Sequence, residues 1–212
     1  WGGIDTGAAV ARTLLEAAPG TRWKYSNYDT LLLVRAIREV IGDETEYLSF
    51  PHPALLHKIG MLDTVPELDP YGNFILSSQV YTTARDLARF GLLYQNDGIW
   101  NGDRILPEGW VAFTVKPAPA TLLLPEDHRA YRGYGAQFWL YGGEPGLPSD
   151  TYSTSGARGQ HATIVPSRDL VVARMGLDPL EESGWDQPAF VADVLSAISF
   201  DAGLAAREQE PR

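Results

Sequence analysis

The spacing of the apolar residues changes along this chain of 212 residues, and that change limits the folds it can adopt. Up to about residue 114, apolar residues recur at three- and four-residue intervals, which is typical of amphipathic helices. From Tyr134 they recur at every second position, the period of a β-strand. Because helices come first and strands follow, we predict an α+β fold: a mainly helical region, then antiparallel strands, then a closing helix.

Capping residues and glycine stops delimit the predicted helices. One helix is predicted over residues 28–41, where apolar side chains share one face and Gly42 ends the pattern. A second strong helix follows Thr82 or Thr83 and ends at residues 96–98. Weaker helical patterns run from Asp5 or Thr6 to residue 18, over residues 47–59 with interruptions at two prolines, over 107–114, and over 187–198 after Asp186.

Three strands are predicted, over residues 134–141, 162–165 and 170–175, and the last two flank a four-residue turn at 166–169. Residues 68–81 are rich in Pro, Gly, Asn and Ser and predict a long ordered loop of the kind that lines sites. The pattern therefore divides the chain into a helical region (1–116), a connecting loop (117–132), the strands with the last helix (133–204), and a tail (205–212).

Composition excludes several classes of function. The net charge of −10 repels polyanions, so we expect no nucleic-acid partner. The aliphatic runs are far shorter than the ~20 residues of a membrane span. Cysteine is absent, which removes thiol chemistry but leaves the compartment undecided. His52 and His57 fit no metal-ligand motif and are interpreted as surface histidines, so we expect neither a metal nor another cofactor.

Two short segments carry candidate chemistry. In Tyr25-Ser26-Asn27 a phenol and a carboxamide stand two residues apart, so their side chains converge only where the backbone is extended or turned, just before a helix. The alternative is that Ser26 simply caps that helix, with Asp29 completing a weak capping box. The second segment, residues 154–157, ends in small residues that let a ligand or another backbone approach. Its alternative is an ordinary β-bulge or strand-entry loop.

Three aromatic or imidazole side chains near these segments have two interpretations each. Trp139 and Tyr141 either line an acyl pocket or pack the sheet against a helix. His161 either borders the site or is an ordinary hydrogen-bonded histidine on a strand.

Three segments in order resemble the serine beta-lactamase-like family, which includes class C beta-lactamases, DD-peptidases, esterases and 6-aminohexanoate oligomer hydrolases. They are residues 19–27 (PGTRWKYSN), residues 83–91 (TARDLARFG), and Ser155-Gly156 through Gly159-Gln160 with the turn at 166–169. Residues 96–100 (NDGIW) and 105–110 (ILPEGW) resemble the esterase and oligomer-hydrolase branch.

The resemblance implies roles for six residues. Tyr25 matches the tyrosine that relays protons, and Asn27 matches the amide that helps hold the family's lysine and the substrate carbonyl. The family's Lys-Thr-Gly motif becomes Thr154-Ser155-Gly156, and the backbone N–H of Ala157 would be one oxyanion-hole donor. Loss of the lysine at Thr154 disfavours substrates with carboxylates such as beta-lactams, so the resemblance implies a small-molecule ester or uncharged amide.

The family's nucleophile motif, Ser-x-x-Lys, is absent from the 212 residues. The residues three positions before Lys24, Lys58 and Lys116 are Thr21, Leu55 and Phe113. Thr21 has the spacing but overlaps the Tyr25 motif, so we reject it. We expect the motif in a preceding amino-terminal portion of the same protein, and we expect the present chain alone to be inactive. The alternative is a non-catalytic binding or scaffolding module with the same fold.

Overall fold

The structure is a computed structural model that describes residues 3–120, 133–179 and 185–198. Helices dominate its first half and a four-stranded antiparallel sheet its second half, which confirms the predicted α+β class. The predicted tail at 205–212 and most of the predicted loop at 117–132 lie outside the described residues. The helices are α1 (Thr6–Ala11), α2 (Asn27–Ile41), α3 (Glu44–Ser49), α4 (Ala84–Gln95), α5 (Trp110–Thr114) and α6 (Gln187–Ala197).

The strands are short except in the main sheet. They are β1 (Val65–Pro66), β2 (Val80–Tyr81), β3 (Ile99–Trp100), β4 (Asp103–Arg104), β5 (Trp139–Leu140), β6 (Tyr152–Gly156), β7 (Gln160–Val165) and β8 (Leu170–Arg174). The first four form two separate antiparallel pairs, β1 with β2 and β3 with β4. The last four form one sheet in the order β5-β6-β7-β8, so each strand lies beside its neighbour in sequence.

Helix α2 forms where the sequence predicts it and for the predicted reasons. The Ser26 side chain accepts a hydrogen bond from the Tyr28 N–H at its start, and Gly42 ends it in the left-handed conformation. The Ser26 cap is therefore confirmed, but the described hydrogen bonds include none between the Asp29 side chain and the Ser26 N–H that would complete a capping box. Leu31 and Val34 are buried on one face of α2, and they pack in two small clusters with α1, α3 and the loop after β1.

The main sheet is covered on both faces. On one face α4 packs through Tyr94 against Phe138, Tyr152 and Ile164. Gly91 permits this close approach, since a Cβ there would meet Val171 at 2.5 Å. On the other face α6 packs through Val191 in a cluster that includes Val165. The β6–β7 hairpin is thus fixed from both sides, while its turn stands at the end of the sheet.

Three sequence predictions are corrected. The first helix ends at residue 11 and not at 18, because Leu14 is 86% exposed and makes no core contact that would extend the helix. The predicted strand 134–141 is reduced to Trp139–Leu140, because the Ala136 N–H bonds to the Thr114 carbonyl and diverts the segment from the sheet. The sheet has four strands and not three, since residues 152–156 form a full strand.

The buried Asp69 carboxylate joins α1 to the loop before β2. It accepts hydrogen bonds from the Thr6 N–H and hydroxyl at 2.8 and 2.7 Å. It also accepts from the backbone N–H of Tyr71 and from the backbone and side-chain amides of Asn73. Burial alone would raise the pKa of Asp69, but the hydrogen bonds from Asn73 and Thr6 outweigh it and lower the pKa to about 2.

We predict that Asp69→Asn lowers the free energy of unfolding at pH 7 by about 2 kcal/mol. A depressed pKa stabilises the fold above the ordinary value of 3.8, and this stabilisation is lost as the pH falls toward about 2. Urea unfolding between pH 2 and 7 measures it. The exposed Asp103→Asn is the control, and an Asp69→Asn variant whose stability matches wild type at pH 7 would contradict the prediction.

Within the described ranges, no helix combines the length and apolar character that a bilayer crossing needs.

Candidate active site

Tyr25 lies in a group of four aromatic side chains between the helical region and the sheet. Its ring stacks on Trp139 of β5, with centroids 5.6 Å apart and planes 29° apart. Tyr134 meets both rings edge-on, and Trp23 contacts Tyr134 and Trp139. This aromatic group holds the segment before α2 against the first strand of the sheet. Tyr25 remains 48% exposed, so a small molecule can reach this side chain.

Asn27 is the first residue of α2, immediately after the Ser26 cap. Ser26 has a β-region backbone and α2 begins directly after it, so the chain turns between Tyr25 and Asn27 as the sequence predicts. The Asn27 carboxamide is partly exposed. The helix start therefore brings the backbone of these two residues together at a turn.

Thr154, Ser155 and Gly156 are the last three residues of β6, which settles this segment as a strand end and not a bulge. The Thr154 hydroxyl accepts a hydrogen bond from the Ala162 N–H at 2.9 Å, so it is engaged with β7. Ser155 lies opposite His161 and Gly156 opposite Gln160. A Cβ at Gly156 would approach the Gln160 Cβ to 2.9 Å, so the glycine lets β7 come close at the hairpin end.

Ala157 is the second residue of a tight turn that joins β6 to β7. The Gly159 N–H donates to the Gly156 carbonyl at 3.2 Å. Arg158 has φ +62° and Ala157 has a negative φ, which is the pattern of a type II turn. A trans peptide directs its C=O and N–H in opposite directions. Because the Gly156 carbonyl points into the turn toward β7, the Ala157 N–H points out of it, away from β7.

The direction away from β7 is the side of β6 on which β5 and Tyr25 lie. Strand β5 pairs only with Tyr152 and Ser153, so Ser155 and Gly156 are left without a partner strand on that edge within the described residues. Trp139 is paired with Ser153, and Tyr25 stacks on Trp139. Ala157 lies four positions after Ser153 along the chain, which corresponds to about 13 Å. The Ala157 N–H therefore points to the side of β6 on which β5 and the aromatic group around Tyr25 lie.

Sequence reasoning missed a polar link between α2 and the segment before β5. The Thr30 hydroxyl on α2 and the Tyr134 hydroxyl both donate to the Gln137 side-chain oxygen, at 3.2 and 3.3 Å. Burial, with the neighbouring Tyr25 adding to it, raises the pKa of Tyr134 to about 12, so this phenol stays a donor at neutral pH. Gln137 has φ +69°, a strained conformation for a residue other than glycine. A left-handed glutamine leaves no signal in the sequence.

Several other interpretations are settled by the geometry. Tyr141 is fully buried against Leu147, Val165 and Val191, which agrees with the interpretation that it packs the sheet on α6. His161 is also buried, its Nδ1 lies 3.3 Å from the Thr154 carbonyl, and burial lowers its pKa. This agrees with the hydrogen-bonded interpretation.

The other side chains and the concavity considered for a functional site either have other bonding partners or lie away from Ala157. The Thr21 hydroxyl donates to the Ala18 carbonyl and Lys24 pairs with Glu16, which supports the rejection of Thr21 as a nucleophile. The rings of His52 and His57 lie 5.3 Å apart on a π-helical turn, and the described residues gather no set of three possible metal ligands. A concavity of about 440 Å³ between Leu147 and Arg168 adjoins the β7–β8 turn, at the opposite end of β7 from Ala157.

Comparison with known proteins agrees with this architecture. A family model described as Beta-lactamase matches residues 4–182. The chain is similar to a 6-aminohexanoate-dimer hydrolase of Paenarthrobacter ureafaciens, with 26% identity over 181 residues that make up 83% of this chain and 43% of that protein.

Solved structures show the same fold. A Bacillus anthracis protein provisionally named a 6-aminohexanoate-dimer hydrolase matches with a TM-score of 0.68 and 22% identity, over 93% of this chain and 48% of that one. A Mycobacterium bovis beta-lactamase matches with a TM-score of 0.63 and 21% identity, over 85% of this chain and 66% of that one. The chain thus spans less than half the length of the two proteins named as 6-aminohexanoate-dimer hydrolases.

Proposed function

This chain belongs to the beta-lactamase family, whose model matches most of its length, and from that premise we propose that it forms part of a serine hydrolase that cleaves esters or amides through an acyl-enzyme. One observation carries the proposal. Tyr25 and the outward-pointing N–H of Ala157 lie on the same side of β6, although they are separated by 132 residues in sequence. A proton relay and an oxyanion donor must both reach one carbonyl, and a position on the same side is consistent with that requirement.

The nucleophile of the proposed reaction lies outside residues 1–212, because no Ser-x-x-Lys occurs in them. The chain spans less than half of the hydrolase relatives, which leaves room for such a motif in the rest of the protein. Helix α2 offers that portion a docking surface, since Leu32, Leu33 and Val40 are 50%, 56% and 86% exposed. Burying one such side chain in the interface would stabilise the assembled protein by about 1.5–3 kcal/mol.

In the proposed mechanism the serine attacks the substrate carbonyl and its proton passes to the Tyr25 phenolate. A tyrosine is a poor base at neutral pH unless a nearby cation favours its phenolate, and in the proposal that cation is the lysine of the Ser-x-x-Lys motif. The tetrahedral oxyanion accepts hydrogen bonds from the Ala157 N–H and from the N–H of the nucleophile itself. The protonated Tyr25 then gives its proton to the leaving group, and water releases the acid from the acyl-enzyme.

The substrate class follows from what the strand end lacks. Thr154 occupies the position of the family's lysine, and its hydroxyl accepts a hydrogen bond from β7. A substrate carboxylate would therefore meet no cation at this position. The relative from Paenarthrobacter ureafaciens is named a 6-aminohexanoate-dimer hydrolase, which is a precedent for amide cleavage, although such a dimer itself ends in a carboxylate. We therefore propose small esters and uncharged amides as the substrates.

Hydrolysis of short p-nitrophenyl esters by the complete gene product tests the proposal. We expect turnover, and a Ser-x-x-Lys motif in the coding sequence before residue 1. A complete coding sequence without that motif would favour the second candidate, a non-catalytic binding module. The observation that favours the binding module is that the 212 residues contain no Ser-x-x-Lys motif.

A further inference from the structure

The turn that presents the Ala157 N–H is fixed by side chains that lie outside it. Arg174 at the end of β8 donates through Nη1 to the Gly159 carbonyl at 2.9 Å. The same guanidinium forms a two-pronged ion pair with Asp178, at 2.8 and 2.6 Å. Both partners are mostly buried, with side chains 18% and 14% exposed. Trp185 covers the guanidinium, with Cζ 3.8 Å from the ring centroid.

The other two carbonyls of the turn are held as well. The Asp178 N–H donates to the Arg158 carbonyl, and Arg158 Nε donates back to the Asp178 carbonyl, both at 3.1 Å. The Gln160 side chain pairs with the backbone of Gly176, accepting at 3.2 Å and donating at 2.6 Å. The same Gln160 amide also lies within 3.4 Å of the Ala157 carbonyl.

These contacts hold a strained backbone in place. Arg158 occupies the left-handed region, which is strained for a residue other than glycine, and such strain persists only where the surroundings determine it. At Gly159 any Cβ would overlap the Arg174 guanidinium. Only a glycine at position 159 therefore leaves room for the Arg174 guanidinium beside the turn.

We propose that Arg174, Asp178 and Gln160 form a turn clamp that orients the Ala157 N–H toward the substrate oxyanion. The clamp holds the carbonyls of Ala157, Arg158 and Gly159, and so it fixes the turn in which the Gly159 N–H binds the Gly156 carbonyl. Because the Gly156–Ala157 peptide is trans, the Ala157 N–H is then fixed in the direction opposite to that carbonyl. These three are positioning residues, since they act through Ala157. The inference rests on the proposed function, because it assigns the oxyanion donor of that reaction.

The test compares Arg174→Lys in two backgrounds of the complete protein. Lysine keeps the charge but cannot bridge Gly159 and Asp178 with a planar fork. In the wild-type background we expect kcat for a p-nitrophenyl ester to fall about 10- to 100-fold with KM changed less than about threefold, since small misplacements of a catalytic group have such effects. In an Ala157→Pro background, which lacks the N–H, the same change should lower kcat by less than about twofold.

A control separates this effect from a loss of stability. Glu44→Gln weakens the ion pair with Arg38 between α2 and α3, which does not touch the turn, and it should leave kcat unchanged. An equal loss of kcat from Arg174→Lys in both backgrounds, or no loss in either, would overturn the proposed clamp.

A readout that does not depend on activity separates the clamp from the proposed function. The Gly159 amide hydrogen bonds across the turn, so its hydrogen exchange reports how well the turn is held. We expect exchange to become at least about tenfold faster in Arg174→Lys and in Asp178→Asn. Unchanged exchange would refute the clamp, whereas a complete wild-type protein without ester or amide turnover would refute the function and leave the clamp without a catalytic role.

Discussion

Tyr25→Phe in the complete protein is expected to lower kcat/KM for p-nitrophenyl esters by about 10²- to 10⁴-fold, the usual contribution of a general acid–base group. The substitution keeps the ring, so the stacking on Trp139 and the folding of the site should persist. The loss should fall mainly on kcat, because the phenolic oxygen acts on the proton in transit and contributes little to substrate binding.

Tyr71→Phe is the matched control for this prediction, since Tyr71 is a similarly exposed tyrosine, 56% against 48%, on the loop before β2. Its kcat should stay within about twofold of wild type, as for a surface change away from the site. Turnover by the Tyr25 variant equal to that of the control would remove Tyr25 from the mechanism.

Ala157→Pro is expected to lower kcat by about 10²- to 10³-fold, equivalent to about 2.7–4 kcal/mol, because it deletes one oxyanion donor. Proline suits this position structurally. Ala157 is the second residue of a type II turn, where proline is favoured, and within the described ranges its N–H has no hydrogen-bond acceptor to lose. The free energy of unfolding should therefore stay equal or rise by up to about 1 kcal/mol.

Glu108→Pro supplies the matched control for the proline. The Trp110 N–H donates to the Pro107 carbonyl and Gly109 has φ +76°, so Glu108 holds the same position in a second turn of this type. That turn precedes α5 and does not belong to the candidate site. Should Ala157→Pro and Glu108→Pro give the same kcat, the oxyanion role of Ala157 would be wrong.

The elements that the sequence predicts well are those whose signals are local. The Ser26 cap and the Gly42 stop delimit α2, the Thr83 cap starts α4, and Asn101-Gly102 forms the turn between β3 and β4. Each signal is a capping side chain or a backbone conformation that neighbouring residues determine. Within the described ranges, such signals place most of the helices to within a few residues.

The predictions that failed depend on contacts between distant segments. Alternating side chains at 134–141 predict one strand, but the Thr114 carbonyl captures the Ala136 N–H and only two residues remain paired. The first helix stops early because nothing packs on Leu14. Both outcomes are decided by tertiary packing, which local periodicity does not report.

The candidate site shows the same division. Tyr25, Asn27 and residues 154–157 are found from the sequence because they match a family's motifs. The aromatic partner Trp139 of Tyr25 and the clamp on the Ala157 turn are brought to the site by strand pairing: Arg174 is 17 residues from Ala157, yet β8 pairs it with His161 beside the turn. Such a partnership is visible only once the register of the sheet is known.

The most direct test of a site built around a serine outside these 212 residues is covalent labelling with a fluorophosphonate, followed by peptide mass spectrometry. The complete protein should carry one adduct per chain, on the serine of a Ser-x-x-Lys motif, and residues 1–212 produced alone should carry none. A stoichiometric adduct on any serine of the present chain, such as Ser26 or Ser155, would contradict the account.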